Sequence, residues 1–124
     1  MAPGTGYSHV VAASGRVVAV AGQVALDAAG NVVGENDPEA QARQVFQNLG
    51  AALAAIGASF DDVIKLTLFL TDVSILPVVR RVRDEHVDTE RPPASTAVQV
   101  AGLVRPEFLL EVEALAVVSE EGHD

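Results

Sequence analysis

"RPPASTAVQVAGLVRPEFLLEVEALAVV", residues 91–118, is the stretch on which the fold turns. Pro92 and Pro93 exclude helix and hold the backbone extended. The residues after them read as a β-hairpin, with one strand over 94–103, a turn at 104–107 and a second strand over 108–118. The second strand alternates. Leu110, Val112, Ala114, Ala116 and Val118 point one way; Leu109, Glu111, Glu113 and Leu115 point the other. Two carboxylates thus share a face with two leucines. Such a face is either solvated or the wall of a pocket.

Working back from this hairpin, "DDVIKLTLFLTDV" (61–73) reads as a central strand over 63–70, with Ile64, Leu66, Leu68 and Leu70 on one face. Lys65 and Thr67 share the other, where a lysine either protects an edge or lines a pocket. "SILPVVRRVRDEHV" (74–87) reads as a helix capped at Ser74, with Pro77 in its first turn and Leu76, Val79, Val82 and His86 as its apolar stripe. Its basic run, "RRVR" at 80–83, reads as a solvated face. "PEAQARQVFQNLGAALAAIG" (38–57) is an amphipathic helix with Asp37 as N-cap and Gly57 near its C-terminal end. Ala42, Val45, Phe46, Leu49, Ala52, Leu53 and Ile56 form its buried stripe. Near the start, "YSHVVAASGRVVAVAGQVALD" reads as two strands joined at Ser14-Gly15, the second of them buried on both faces. Gly22 interrupts that strand and marks either a bulge or a close approach of backbone or ligand. Gln23 follows it.

The order is β-β-α-β-α-β-β in one domain over 1–124. This is an α+β layer: a mixed sheet with two helices on one face. Nothing in the chain covers the other face, and a closed ring of copies is the natural cover.

Composition narrows the function. Hydrophobic residues make up 49% of the chain, enough for a packed core. The net charge of −9 repels a phosphate backbone, so no nucleic-acid partner is expected. Without cysteine there is no thiol catalysis and no thiolate metal site. His9, lacking a second histidine or a neighbouring acid, reads as a half-exposed strand residue, and His123 as part of a polar tail. The start of the chain has no charged and apolar leader, and no run approaches the roughly 20 residues of a membrane span. A cytoplasmic protein without a membrane partner is the expectation.

The chain resembles the Rid family (reactive intermediate deaminases, also YjgF-like or RutC-like). "PPAST…VQVAGL…LLEVEALAV" is similar to that family's "PARS…VEVARLP…VEIEAIA". "GYSHVV", "VVAVAGQVALD", "EAQARQVFQNLGAAL" and "DDVIKLTLFLTDV" match further landmarks in the family's order and spacing. The resemblance implies a chorismate-mutase-like fold and a homotrimer with a central barrel. It also implies three small-molecule clefts between subunits, with no cofactor and no metal. It implies hydrolysis of enamines and imines to 2-oxo acids and ammonia. That chemistry needs a cationic fork for a carboxylate, a positioned water and a group that moves protons.

Glu111 matches the family's water-handling carboxylate and is the catalytic candidate. Tyr7, Gly22, Gln23, Arg80, Ser95 and Thr96 are the candidate binding residues. Ser95 departs from the pattern, because it stands where the family carries its carboxylate-gripping Arg. Each charge-assisted hydrogen bond is worth about 1.5–3 kcal/mol, so losing two weakens an imino-acid complex by orders of magnitude. Arg80, Arg83, Arg91 and Arg105 are the possible substitutes. The expectation is a deaminase-type hydrolase acting on another imine, enamine or related C–N substrate, and a poor 2-imino-acid deaminase. The alternative is a non-catalytic trimer that binds a metabolite or a regulatory partner.

Overall fold

The computed structural model describes residues 1–120, so His123 lies outside the described residues. Strand β1 is Arg16–Gln23, helix α1 Pro38–Ala55, β2 Val63–Leu70, helix α2 Leu76–Arg83, β3 Ala94–Gln99 and β4 Leu110–Val118. They form one four-stranded sheet in the order β1-β4-β2-β3. β4 is antiparallel to both neighbours, and β2 and β3 run parallel.

The closing segment is therefore not a hairpin. β3 and β4 never pair. Their connection, 100–109, is too long for a tight turn and carries Gly102 and Pro106. β4 instead enters the middle of the sheet and gains a ladder on each side. Its alternation stands: Leu110, Val112, Ala114, Ala116 and Val118 are all buried. β3, with no buried residue, is suited to an edge.

The start of the chain also departs from expectation. Residues 10–13 are exposed and form no strand. Both edges of the sheet lie elsewhere, and residues 7–9 cross to the β3 edge. There the Ser8 amide donates to the Pro93 carbonyl at 3.1 Å and its hydroxyl to the Pro92 carbonyl at 2.5 Å. The element order is thus β-α-β-α-β-β. β1 is an edge strand rather than a doubly buried one: Val18 and Val20 face the helices, while Val17, Ala19 and Ala21 are exposed.

Both helices cover one face. Asp37 caps α1 as expected, its carboxylate accepting from the Ala40 amide at 3.1 Å. Val45, Phe46, Leu49 and Leu53 then meet Leu66, Leu68, Leu70, Leu110 and Val112. Ile56, expected in that stripe, is exposed because the helix ends at Ala55. Ahead of α2 the cap is Asp72 rather than Ser74: its carboxylate accepts from the Ser74 amide at 2.8 Å and opens a single-turn helix over Val73–Ile75. A bulge between Val63 and Lys65 shifts the β2 alternation, so Val63 rather than Ile64 joins the core.

His86 stacks on Phe46 at 5.6 Å between ring centroids and lies 5.2 Å from Phe60. Burial lowers its pKa below the usual value; Glu85 opposes that shift and Arg43 adds to it. Unfolded chains therefore protonate here first as pH falls through about 6.5. Stability should decline from pH 7 to pH 5.5 in chemical denaturation, and His86→Phe should flatten that slope. The carboxylates held low by Arg43 and Arg105, Glu85 and Glu107, lose their contribution only at more acidic pH. An unchanged slope in His86→Phe would remove His86 as its source.

Candidate functional site

Strand alternation decides where each candidate residue sits. Ser95 pairs with Leu66, a core residue, so it lies on the helix-covered face. There it lines a pocket of about 210 Å³ with Tyr7, Arg80 and Arg83, over Leu68 and Leu76. Arg80 and Arg83 come from one face of α2, three residues apart. Tyr7 is brought in by the Ser8 bonds to the β3 edge, and its ring meets His9 edge-on at 5.3 Å.

Thr96, next to Ser95, necessarily points the other way. It lies across from Thr67 on the open face, and its hydroxyl accepts from the Lys65 ammonium. Glu111 is on that open face too, opposite Phe69. Gly22 stands against it. A Cβ at Gly22 would sit 2.7 Å from the Glu111 Cδ and closer still to Oε2, so only glycine leaves room for this carboxylate. Gln23 lies beyond a break in the β1–β4 register, pairs with Val112 and returns to the helix side. Its amide donates to the Ala21 carbonyl at 3.1 Å, and it lines a groove of about 590 Å³ with Gly22, Gln44, Gln47 and Asn48.

The candidates therefore fall into separate places. Tyr7, Arg80 and Ser95 share a pocket. Gly22 and Glu111 meet on the opposite side of the sheet, Thr96 is on that side at the β3 edge, and Gln23 lines a groove that Gly22 also borders. Within one chain, Ser95 and Glu111 do not converge.

The basic run on α2 is not one solvated face. Arg81 is exposed and pairs with Glu39, but Arg83 is 2% exposed. Of the other arginines, Arg91 lies beside Asp61 and Pro93, away from Ser95. Arg105 pairs with Glu107 at 2.9 Å and covers the Phe108 ring. Among the described residues no group of three or more His, Asp or Glu side chains converges as metal ligands do, and no helix is long and apolar enough to cross a membrane.

Known proteins resemble this chain in sequence and in overall fold. The family profile described as Endoribonuclease L-PSP matches residues 1–118. A RutC family protein of Synechocystis is 36% identical over 94% of this chain and 89% of its own length. The crystal structure of the Rid family protein YyfB from Yersinia pestis superposes with a TM-score of 0.83 at 35% identity, covering 91% of this chain and 87% of that one. Escherichia coli TdcF, solved with bound serine, superposes with a TM-score of 0.74 at 33% identity over 87% and 85% of the two chains. A profile match over almost every residue, joined to a shared sheet order and helix layer, makes this chain a member of the YjgF/RutC/Rid family.

Proposed function

We propose that the protein is a cytoplasmic hydrolase of small imines and enamines that works as a homotrimer. Each site would form where the Tyr7–Arg80–Ser95 pocket of one copy meets Glu111 and Gly22 of the next. The observation that carries this reading is the separation of the two groups onto opposite sides of one sheet. Two copies can supply together what one copy keeps apart. The open sheet face favours association, since Val17 is 68% exposed and Val98 and Leu115 are each 39% exposed there.

The chemistry rests on the groups present. Glu111 takes a proton from a water as its oxygen bonds to the imine carbon. The imine nitrogen gains a proton, and the carbinolamine collapses with cleavage of the C–N bond. One imine and one water yield one carbonyl product and one ammonia. An enamine first accepts a proton at carbon to become the imine. A serine-bound relative supports a cleft sized for a short amino-acid-like skeleton.

Ammonia release from a panel of small imines and enamines tests the activity, with 2-iminobutanoate expected to be a poor substrate, and Glu111→Gln should lower turnover of the best substrate on the order of 100-fold. Mixed trimers test the shared site. Glu111→Gln and pocket-filling Ser95→Phe, each inactive alone, should regain about a quarter of wild-type activity when refolded together, because in a closed ring about one interface in four joins two intact halves. No recovery in mixed trimers would place the whole site in one chain. No turnover by the wild type on any small imine would leave a metabolite-binding trimer.

A further inference from the structure

The open face of the sheet is mostly apolar or small. β1 presents Val17, Ala19 and Ala21 there, and β4 and β3 add Leu115 and Val98. Among the strand residues of that face three are charged: Lys65, Glu111 and Glu113. Glu111 already has a place in the reaction. Lys65 and Glu113 have none, yet both stand on the face that a ring of copies would cover. A charge taken out of water without a partner is costly, so each needs one.

Within one chain the two do not pair. Glu113 lies opposite Thr67, and Thr67 lies opposite Thr96, so these three form one row across β4, β2 and β3. Lys65 is in the next row, between Leu115 and Ala94. Its ammonium leans toward the β3 edge, where it donates to the Thr96 hydroxyl, and so away from β4. Glu113 is exposed and belongs to none of the ion pairs among the described residues.

The two charges are therefore displaced toward opposite edges of the sheet. β3 is the last strand on one side. On the other side only β1 lies beyond Glu113, and there the break in register sets the small residues Ala21 and Gly22 beside it. The ammonium and Glu113 also share one height along the strands, because Thr96 and Glu113 belong to the same row. A closed ring joins the β3 edge of one copy to the β1 edge of the next, and rotation about an axis running roughly along the strands preserves height.

We propose that Lys65 of one copy forms an ion pair with Glu113 of the next and so sets the register of the ring. The occupant of the open face is then a second copy of this chain, recognised by charge complementarity at its edges. The pair presupposes the ring proposed above and owes nothing to its chemistry.

Sedimentation velocity on the full chain tests it. The wild type should be a trimer at micromolar concentration. Lys65→Glu sets two carboxylates against each other, and Glu113→Lys two ammonium groups. Each should raise the concentration of half-assembly about 100-fold or more. Lys65→Glu combined with Glu113→Lys reverses the pair and should return assembly to within about tenfold of wild type. Lys65→Met and Glu113→Gln keep the shape without the charge and guard against single reversals that fail to fold. Each should weaken assembly about tenfold, and together no more than either alone. Single reversals that assemble as tightly as the wild type would overturn the pair and leave the ring standing. Losses that the double reversal does not recover would also overturn it. A wild-type chain that stays a monomer would sink ring and pair together. Imine turnover enters none of these outcomes, so the hydrolase reading stands or falls separately.

Discussion

Gln41→Leu is expected to destabilise the protein by about 3 kcal/mol and to lower its melting temperature by about 10 °C. The side chain is completely buried. Its amide nitrogen donates to the carbonyls of Gly34 at 3.0 Å and Glu107 at 2.9 Å, and its oxygen accepts from the Leu109 amide at 2.9 Å. Leucine fills the space and strands three backbone groups. A buried polar group left unpaired costs about 1–3 kcal/mol, and water reaching the half-buried loops recovers part of that. Gln41→Glu should do no better, since a carboxylate can take the Leu109 amide but cannot donate to two carbonyls. Urea denaturation at fixed protein concentration is the measurement. A loss below about 1 kcal/mol would mean that these bonds are readily replaced. The effect reaches the site, because Leu109 lies two residues before Glu111. The Leu109 carbonyl accepts from the Thr71 amide at 3.1 Å, so Gln41 and Thr71 fix the start of β4 from opposite sides.

Gln41 also marks where the sequence stops being legible. The apolar spacing of α1 locates the helix and its core stripe, and leaves Gln41 off that stripe. Its burial depends on two loops, near 34 and 107, that meet only in the folded chain. β4 is legible for the opposite reason, since strict alternation is a local property that survives any choice of neighbours. Its neighbours are not legible. A turn placed at 104–107 implies β3 as the partner, whereas β4 pairs with β1 and β2. For the site, the resemblance supplies the residues and strand parity decides their directions. Ser95 and Thr96 are adjacent in sequence and so lie on opposite faces of a strand. Arg83 carries a usable signal, the three-residue spacing from Arg80 that puts both on one helical face. Within a run of three arginines that spacing reads as solvation, and only the packing of residues 6–8 over α2 separates Arg83 from Arg81.

Gly22→Ala should lower imine turnover on the order of 100-fold while leaving the protein folded and assembled. The backbone at Gly22 is not in the left-handed region, so alanine is tolerated there on conformational grounds. What alanine cannot share is the space. The new Cβ would stand 2.7 Å from the Glu111 Cδ and 2.8 Å from its Cγ, and a side chain gives way more cheaply than a strand in a ladder. The carboxylate therefore rotates away from its position on the open face, and with it goes the group that takes the proton from the attacking water. Two readouts separate this from general damage. The melting temperature and the oligomeric state should be unchanged. Gly22→Ala combined with Glu111→Gln should be no slower than Glu111→Gln alone, because both changes remove the same function and their effects do not add. Multiplied losses in the double variant would give Gly22 a role of its own. Full activity in Gly22→Ala would show that the position of Glu111 seen here is not the one in which it works.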